Sequence, residues 1–497
     1  MSKRMKDKHT LVKNDGQVFT PDYLVRNILD FAGYYGSEII GKHVIDNSCG
    51  AGAFLVEVVL RYCNEAVQAG YTKDLIKTDL EKFVHGIELE DSAFEQLIHN
   101  LDAAAQKFSI ENVRWNVIHG DALTVTEFDE KMDFVVGNPP YVRVHNLNES
   151  YVSVKSFSFA EGGMTDLYLV FYELGFRMLR PQGKLCYIAP SSWLSSLAGS
   201  NLRRYIRKNR NLVGVIDLAH YQPFDATAYT LIALFQKGMV SDSFAYYSYD
   251  GEAKQKCFIT DLTFQEVDIM GNFYLASHDT LSELRYIKTS QVPKRSSVKN
   301  GFATLADKVF IGDVPETSIT IPVIKASTGK WYRGLFPYNE NGIPISEKIL
   351  FSDPVIKEYF ENNKEALTKG KDVAEGWMYY GRTQALKDVS KTKYAINTIV
   401  KDKDSVKLNL VPAGSGVYSG LYILTDVPEK ILREILISDE FIRYISSLKN
   451  YKSGGYYTFN SKDLEQYLNF KINSHEDISD FLPIDKPRVS EGYLELF

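Results

Sequence analysis

Residues 44–55 read VIDNSCGAGAFL, and this stretch decides the fold. A short apolar run ends in Asp46, a turn of small residues follows, and from Ala53 to Tyr62 apolar residues recur at helical spacing. Strand, glycine-containing turn and helix make the opening unit of a parallel α/β sheet, whose ligands bind outside the carboxyl ends of the strands. Ser48, Gly50 and Gly52 are small enough to let the backbone approach such a ligand. The turn has neither the GxGxxG spacing of a dinucleotide site nor the Lys-Ser/Thr of a phosphate-binding loop. It is flanked by acids, so it suits a cationic sulfonium with a free amino group better than a pyrophosphate.

Outward from this unit the same alternation continues. Upstream, Thr20 can cap a helix with Pro21 in its first turn and Leu24, Ile28 and Phe31 at helical spacing. The opening strand spans 42–46, and further strands are predicted at 83–88, 113–121, 132–138, 183–190, 212–218 and 229–236, with helices near 166–179 and 201–210. The expected fold is α/β, a doubly wound, mostly parallel sheet of seven strands. Past residue 240 tyrosines, glycines and prolines become frequent and the alternation fades. At 497 residues two domains are expected. They are placed at 1–240, carrying the ligand site, and at 241–497, a mixed α/β region.

Two further acids end strands beside Asp46. Glu88 closes the second and can accept from both hydroxyls of a ribose; Asp121 closes the third and can accept from an adenine amino group. Any one of them can instead be a helix cap. Three at successive strand ends point to a ligand crevice.

Asn138-Pro139-Pro140-Tyr141 follows the fourth strand directly. By average residue usage this tetrapeptide arises by chance about once in several hundred chains of this length. A stiff turn would explain the prolines but not the asparagine and tyrosine. An exocyclic amine on an aromatic ring is a poor nucleophile because its lone pair is delocalised. Two acceptors on its N–H groups favour a tetrahedral nitrogen and offset the charge that develops on attack. The Asn138 side-chain oxygen and the Pro139 carbonyl can be those acceptors, and the adjacent prolines restrict the backbone so that the carbonyl keeps one direction. Tyr141 offers a face for stacking. A base must leave the duplex to reach such a pocket. Phe224, between the last two predicted strands, is the candidate for a second aromatic against that base. It can equally be a core aromatic at a strand end.

The net charge of −6 seems to disfavour a polyanion, but residues 281–410 hold 21 Lys+Arg against 15 Asp+Glu, which permits a local basic face. Cys49, Cys63, Cys186 and Cys257 fall in no metal-binding spacing, so no metal is expected, and they fit a reducing cytoplasm. No apolar run reaches a bilayer span, and the basic N-terminus lacks the apolar segment of a secretory signal, so no membrane partner is expected.

In these motifs the sequence resembles the gamma-class amino-group DNA methyltransferases typified by the TaqI adenine methyltransferase and other type II restriction-modification enzymes. GQVFTP (16–21) is similar to the family's segment that closes over the methionine part of the cofactor, which implies roles for Phe19 and Thr20. VIDNSCGAGAFL is similar to its cofactor turn, with Asn47 where proline is more usual. GNPPY (137–141) resembles its catalytic motif, in the form that implies adenine, and APSSWL (189–194) its segment after the fifth strand. The resemblance implies S-adenosylmethionine as cofactor, bound by Glu88 at the ribose and Asp121 at the adenine, and double-stranded DNA as partner. It further implies a monomer whose cognate restriction endonuclease is a separate protein. FPYNENGIP (336–344), YYGRTQAL (379–386), VYSGLYILT (417–425) and KSGGYYTFNSKDL (452–463) resemble segments of target-recognition domains. Arg382 and Gln384 are side-chain types that read base edges, while Lys391, Lys393, Lys401 and Lys403 can meet phosphates or be merely solvated.

Three other functions compete. Protein glutamine methyltransferases use NPPY too, but they are shorter, and over 250 residues follow the last predicted core strand here. A silent DNA-specificity subunit needs neither NPPY nor the three acids. A fused nuclease is expected to leave a PD-(D/E)xK pattern or a longer N-terminus than the roughly fifteen residues before the first motif.

Overall fold

The computed structural model describes residues 20–144, 154–161, 165–224, 228–368 and 376–475. The chain divides into two compact units, Met1–Ser282 and Glu283–Phe497.

The first unit is built on nine strands: β1 Val44–Asp46, β2 Val84–Glu88, β3 Asn116–His119, β4 Met132–Gly137, β5 Leu179–Pro190, β6 Leu212–Asp217, β7 Thr230–Gln236, β8 Ser243–Asp250 and β9 Gln255–Thr263. Their order is β3-β2-β1-β4-β5-β7-β6-β8-β9. The first five run parallel, β7 is antiparallel between β5 and β6, and β8 lies parallel to β6. All seven expected strands are present. β8 and β9 are additional, which moves the boundary from the expected residue 240 to Ser282. The chain reverses its order of strand addition between β1 and β4, and the crevice at their carboxyl ends is where such sheets bind ligands.

Helices cover both faces. On one lie α1 Asp22–Ala32, α2 Ala53–Gln68, α3 Lys73–Phe83 and α4 Asp91–Gln106, whose buried Leu24, Ile28, Leu55, Val59, Leu80 and Leu101 share one core with Phe134, Val136, Cys186 and Ile188. Alternation sends the next residue of each strand to the other face. There Tyr187 and Phe235 meet Tyr172 and Phe176 of α5, Leu167–Met178, at ring separations of 5.1–5.8 Å. Ten of the twelve α5 residues are buried, as for a helix covered on all sides. The basic stretch expected at 201–210 forms α6, Ser200–Asn209. Among the described residues no helix is long and apolar enough to cross a membrane.

The second unit is mixed α/β, as expected. An antiparallel sheet joins Ser296–Asn300, Leu421–Thr425, Lys393–Ile396 and Leu408–Val411; a mixed sheet joins Ile311–Gly312, Lys330–Leu335, Thr320–Lys325 and Gly416–Tyr418, the last two in parallel. Phe302, Phe310, Phe336, Tyr338, Phe360 and Tyr380 dominate its core.

Candidate active site

Asp46, Glu88, Asn138 and Tyr141 gather at the carboxyl ends of adjacent strands β1, β2 and β4. Asp46 is 1% exposed, and its Oδ1 accepts from the Ser48 amide at 3.0 Å. Burial pushes its carboxyl up to about 7, the neighbouring Glu88 adds to this, and the Ser48 N–H opposes it. Such a group gains from a cation placed beside it. Gly137, with φ 152°, stands where any side chain would meet Asp46, since a Cβ there lies 2.6 Å from Oδ1. The acid and the start of the GNPPY stretch are thus held back to back.

Gly50 and Gly52 take positive φ, 53° and 91°, which folds the turn around the end of β1. Glu88, 6% exposed, ties this turn to β2. Its Oε2 accepts from Gly50 N at 2.7 Å and its Oε1 from Glu90 N at 2.9 Å, leaving lone pairs on both oxygens. The Ser48 hydroxyl is buried without a hydrogen-bond partner among the described residues. A buried cation-seeking acid, a two-oxygen acceptor and an unused hydroxyl around one turn fit the amino, sulfonium and ribose groups of S-adenosylmethionine. Asp121 Oδ1 accepts from Leu123 N at 2.9 Å and so caps the turn Ala122–Thr124. The capping function is therefore real here, and one oxygen is committed to it.

Asn47, where proline is more usual, has a structural use. It is buried, and its Oδ1 accepts from the Tyr187 hydroxyl of β5 at 2.9 Å. A side-chain bond anchors the turn in place of a stiff ring.

Thr20 departs from its expected capping role. Pro21 is the residue before α1 and no side chain caps the helix. The Thr20 hydroxyl instead accepts from Asn138 Nδ2 at 3.1 Å. Binding the amide nitrogen on one side fixes which way the amide oxygen faces. Phe19 lies outside the described residues. Pro139 is buried and Pro140 half-buried. Tyr141 donates to Ile188 O of β5 at 3.3 Å, which orients its ring. Phe224 lies edge-on to that ring, with centroids 6.4 Å apart and planes at 76°, and is 7% exposed. Tyr168 of α5 supports Tyr141 edge-on from 6.5 Å; nothing in the sequence singled it out from a helix apolar all round.

In the second unit Arg382 is exposed. Gln384 is half-buried, its Nε2 donating to Gly301 O at 2.5 Å. Lys391 is exposed and bonds Asp388 Oδ1 at 2.8 Å, and Lys403 pairs with Asp439 at 3.1 Å. Lys393 corrects the expectation of a phosphate contact. It is 3% exposed, and its ammonium donates to the carbonyls of Asp388, Lys391 and Ser415 at 2.8–2.9 Å and more weakly to Val389 at 3.4 Å. It is an internal strut, out of reach of a duplex.

Residues 52–224 match the family model of the Eco57I restriction-modification methylase. The type II methyltransferase M.BstVI of Geobacillus stearothermophilus is 25% identical over 72% of this chain and 72% of its own length. The type II restriction enzyme and methyltransferase RM.Eco57I of Escherichia coli is 20% identical over 87% of this chain, which spans about half (54%) of that relative. Among solved structures, the type IIL restriction-modification enzyme MmeI, determined in complex with DNA, aligns with 97% of this chain and 69% of its own at 13% identity and a TM-score of 0.58. The fold is that of the Rossmann-like methyltransferases.

Proposed function

Because the chain is related to the type II restriction-modification methyltransferases, we propose that it is a site-specific DNA methyltransferase that modifies the exocyclic amine of a flipped-out adenine. The observation that carries this reading is the Asn138-Pro139-Pro140-Tyr141 turn at the carboxyl end of β4, beside buried Asp46. Its cofactor is S-adenosylmethionine, which supplies an electrophilic methyl group to the amine nitrogen in a single displacement. Asp46 takes the cofactor's positive end, and Glu88 its ribose. Asp121 meets the adenine with the oxygen not spent on its cap. On the substrate side, Asn138 Oδ1 and the Pro139 carbonyl accept the two N–H groups, drawing the lone pair out of conjugation as the new N–C bond forms. One amine proton then leaves to water. Tyr141 stacks on the base and Phe224 meets it edge-on. The substrate's phosphates are left to the second unit, where Arg382 and Lys391 are exposed. The resemblance favours a monomer acting in the cytoplasm, with cleavage carried out by a separate polypeptide.

The test is transfer of label from S-[methyl-³H]adenosylmethionine to unmethylated duplex DNA, followed by digestion to nucleosides. Label is expected in N6-methyladenine; label in cytosine, or only in protein, overturns the reading. Asn138→Ala should lower transfer by about a hundredfold or more while cofactor affinity changes little.

A further inference from the structure

The first turn of α1 touches two parts of the site at once. Thr20, two residues before the helix, holds the Asn138 amide. Tyr23, its second residue, meets Tyr221 through a phenol–phenol hydrogen bond of 2.5 Å. Tyr221 lies three residues before Phe224, and its backbone N–H closes a turn onto Leu218 O at 2.8 Å. Its ring rests on Tyr249 of β8, with centroids 5.3 Å apart. Tyr249 is itself held from α1, because Asn27 Nδ2 donates to its hydroxyl at 3.1 Å and to Lys254 O at 2.7 Å. The Lys254 ammonium covers the Tyr23 ring from 4.5 Å. Gly251 completes the seat: a Cβ there falls 2.4 Å from the Tyr221 ring, so only glycine admits that ring at this depth.

We propose that Tyr23 and Tyr221 are positioning residues for the methyl transfer, setting Phe224 at its distance from Tyr141 through a bracket anchored on α1 and the β8–β9 hairpin. This rests on the DNA methyltransferase reading above and extends it to residues that touch neither cofactor nor base. Three side-chain anchors within eight residues at the start of α1, Thr20, Tyr23 and Asn27, fix the acceptor amide and the second aromatic relative to each other. A base clasped between Tyr141 and Phe224 is then presented to Asn138 at one height and tilt. Small errors in such alignment are expensive, since a displacement of about 1 Å can cost roughly a hundredfold in rate. The hairpin thereby becomes part of the catalytic architecture, although it lies outside the strands that hold the motifs.

The experiment compares Tyr221→Phe, Tyr23→Phe and Gly251→Val with wild type in single-turnover methylation of unmethylated genomic DNA, alongside cofactor affinity and thermal unfolding. Each Phe variant keeps its ring and is expected to fold. Each should lose roughly tenfold in the transfer rate with cofactor affinity within about twofold, and Gly251→Val should lose more. The decisive measurement is in a Phe224→Ala background, where Tyr221→Phe should cost less than a further twofold or so, because its effect passes through Phe224. An unchanged rate in both Phe variants overturns the proposal. So does a loss that multiplies with that of Phe224→Ala, as a general structural defect would give, or a loss confined to cofactor affinity. If wild-type protein transfers no label to DNA, the underlying reading fails instead.

Discussion

At the scale of single residues the site depends on a buried acid kept in an unfavourable state. Without a cation beside it, Asp46 holds its proton up to about pH 7, because burial disfavours the carboxylate more than the Ser48 N–H stabilises it. In the proposed role, Asp46 meets the cationic cofactor as the carboxylate, so binding expels that proton. Cofactor affinity should be flat above about pH 7 and weaken by roughly tenfold for each pH unit below it. Titration calorimetry in buffers of different ionisation enthalpy should show about one proton released at pH 6 and little at pH 8.5. The same shift bears on stability. Between the ordinary carboxylate range and about 7 the folded protein binds a proton the unfolded chain has lost, so this residue's stabilising contribution is present at low pH and lost as pH rises through 7. Asp46→Asn should accordingly melt at a higher temperature than wild type at pH 8, yet bind no cofactor. A lower melting temperature for Asn at pH 8 would show that the carboxylate is stabilised by the protein itself.

At the scale of elements, what was legible follows from which signals are local. β1, β4 and β7 are short, largely apolar runs bounded by turn residues, β5 carries such a run over Leu185–Ala189, and α1 carries a regular apolar stripe, so the apolar pattern places them. β8 and β9 were missed because they form the exposed end of the sheet: β9 buries Leu262 alone, and its polar and apolar residues give no clean alternation. The strand-end acids and NPPY could be singled out because the proposed chemistry asks for those residue types, and the structure brings Asp46, Glu88 and Asn138 to adjacent strand ends. Thr20 was misread because a threonine before a helix is usually a cap, and its bond to Asn138 spans 118 residues. Lys393 failed for the same reason: a lysine among lysines reads as solvated, and the Ser415 carbonyl that helps bury it is 22 residues away. Burial brings its pKa down to about 8 despite the opposing pull of Asp388. Beside it Asp388 accepts from Lys299, Lys391 and Tyr422; burial alone would raise its carboxyl, but these bonds outweigh burial and bring it down to about 2. Lys393→Met keeps the volume and leaves those carbonyls without a donor. It should cost the second unit roughly 3 kcal/mol in denaturant unfolding. Lys393 does not meet phosphate, so the slope of log affinity against log salt for DNA should be unchanged in that variant. A slope shallower by about 0.9 would return Lys393 to the DNA surface.

At the scale of the whole molecule the question is where the catalytic unit ends, and composition and structure answer differently. The change in composition near residue 240 marks the end of the motif-bearing strands, whereas the compact unit runs to Ser282. The difference is the β8–β9 hairpin, followed by a short helix, Phe264–Val267, and a two-stranded ribbon of Asp268–Ile269 and Asn272–Phe273. The hairpin buries Phe244, Tyr246 and Leu262, sets Tyr247 edge-on to Phe31 of α1 at 5.6 Å, and pairs β8 along β6 from Gly214 to Asp217. Burying three such side chains is worth roughly 5 kcal/mol or more, a large part of the 5–15 kcal/mol that holds a typical domain together. Removing the hairpin also strips Tyr221 of its support on Tyr249 and leaves an uncovered strand edge on β6, an invitation to association between chains. A fragment ending at residue 240 should therefore aggregate or unfold on expression. A fragment ending at residue 277, before the helix His278–Thr289 in which the boundary falls, should be monomeric and cooperative in thermal unfolding. That longer fragment keeps Asp46, Glu88, Asn138 and Phe224, so it should bind S-adenosylmethionine with near-full affinity. It lacks the whole of the basic surplus between residues 281 and 410, so its transfer to DNA should be weak and without site preference. Site-specific methylation by the 277-residue fragment would put target recognition in the first unit, and a soluble, cofactor-binding 240-residue fragment would reduce the hairpin to an appendage.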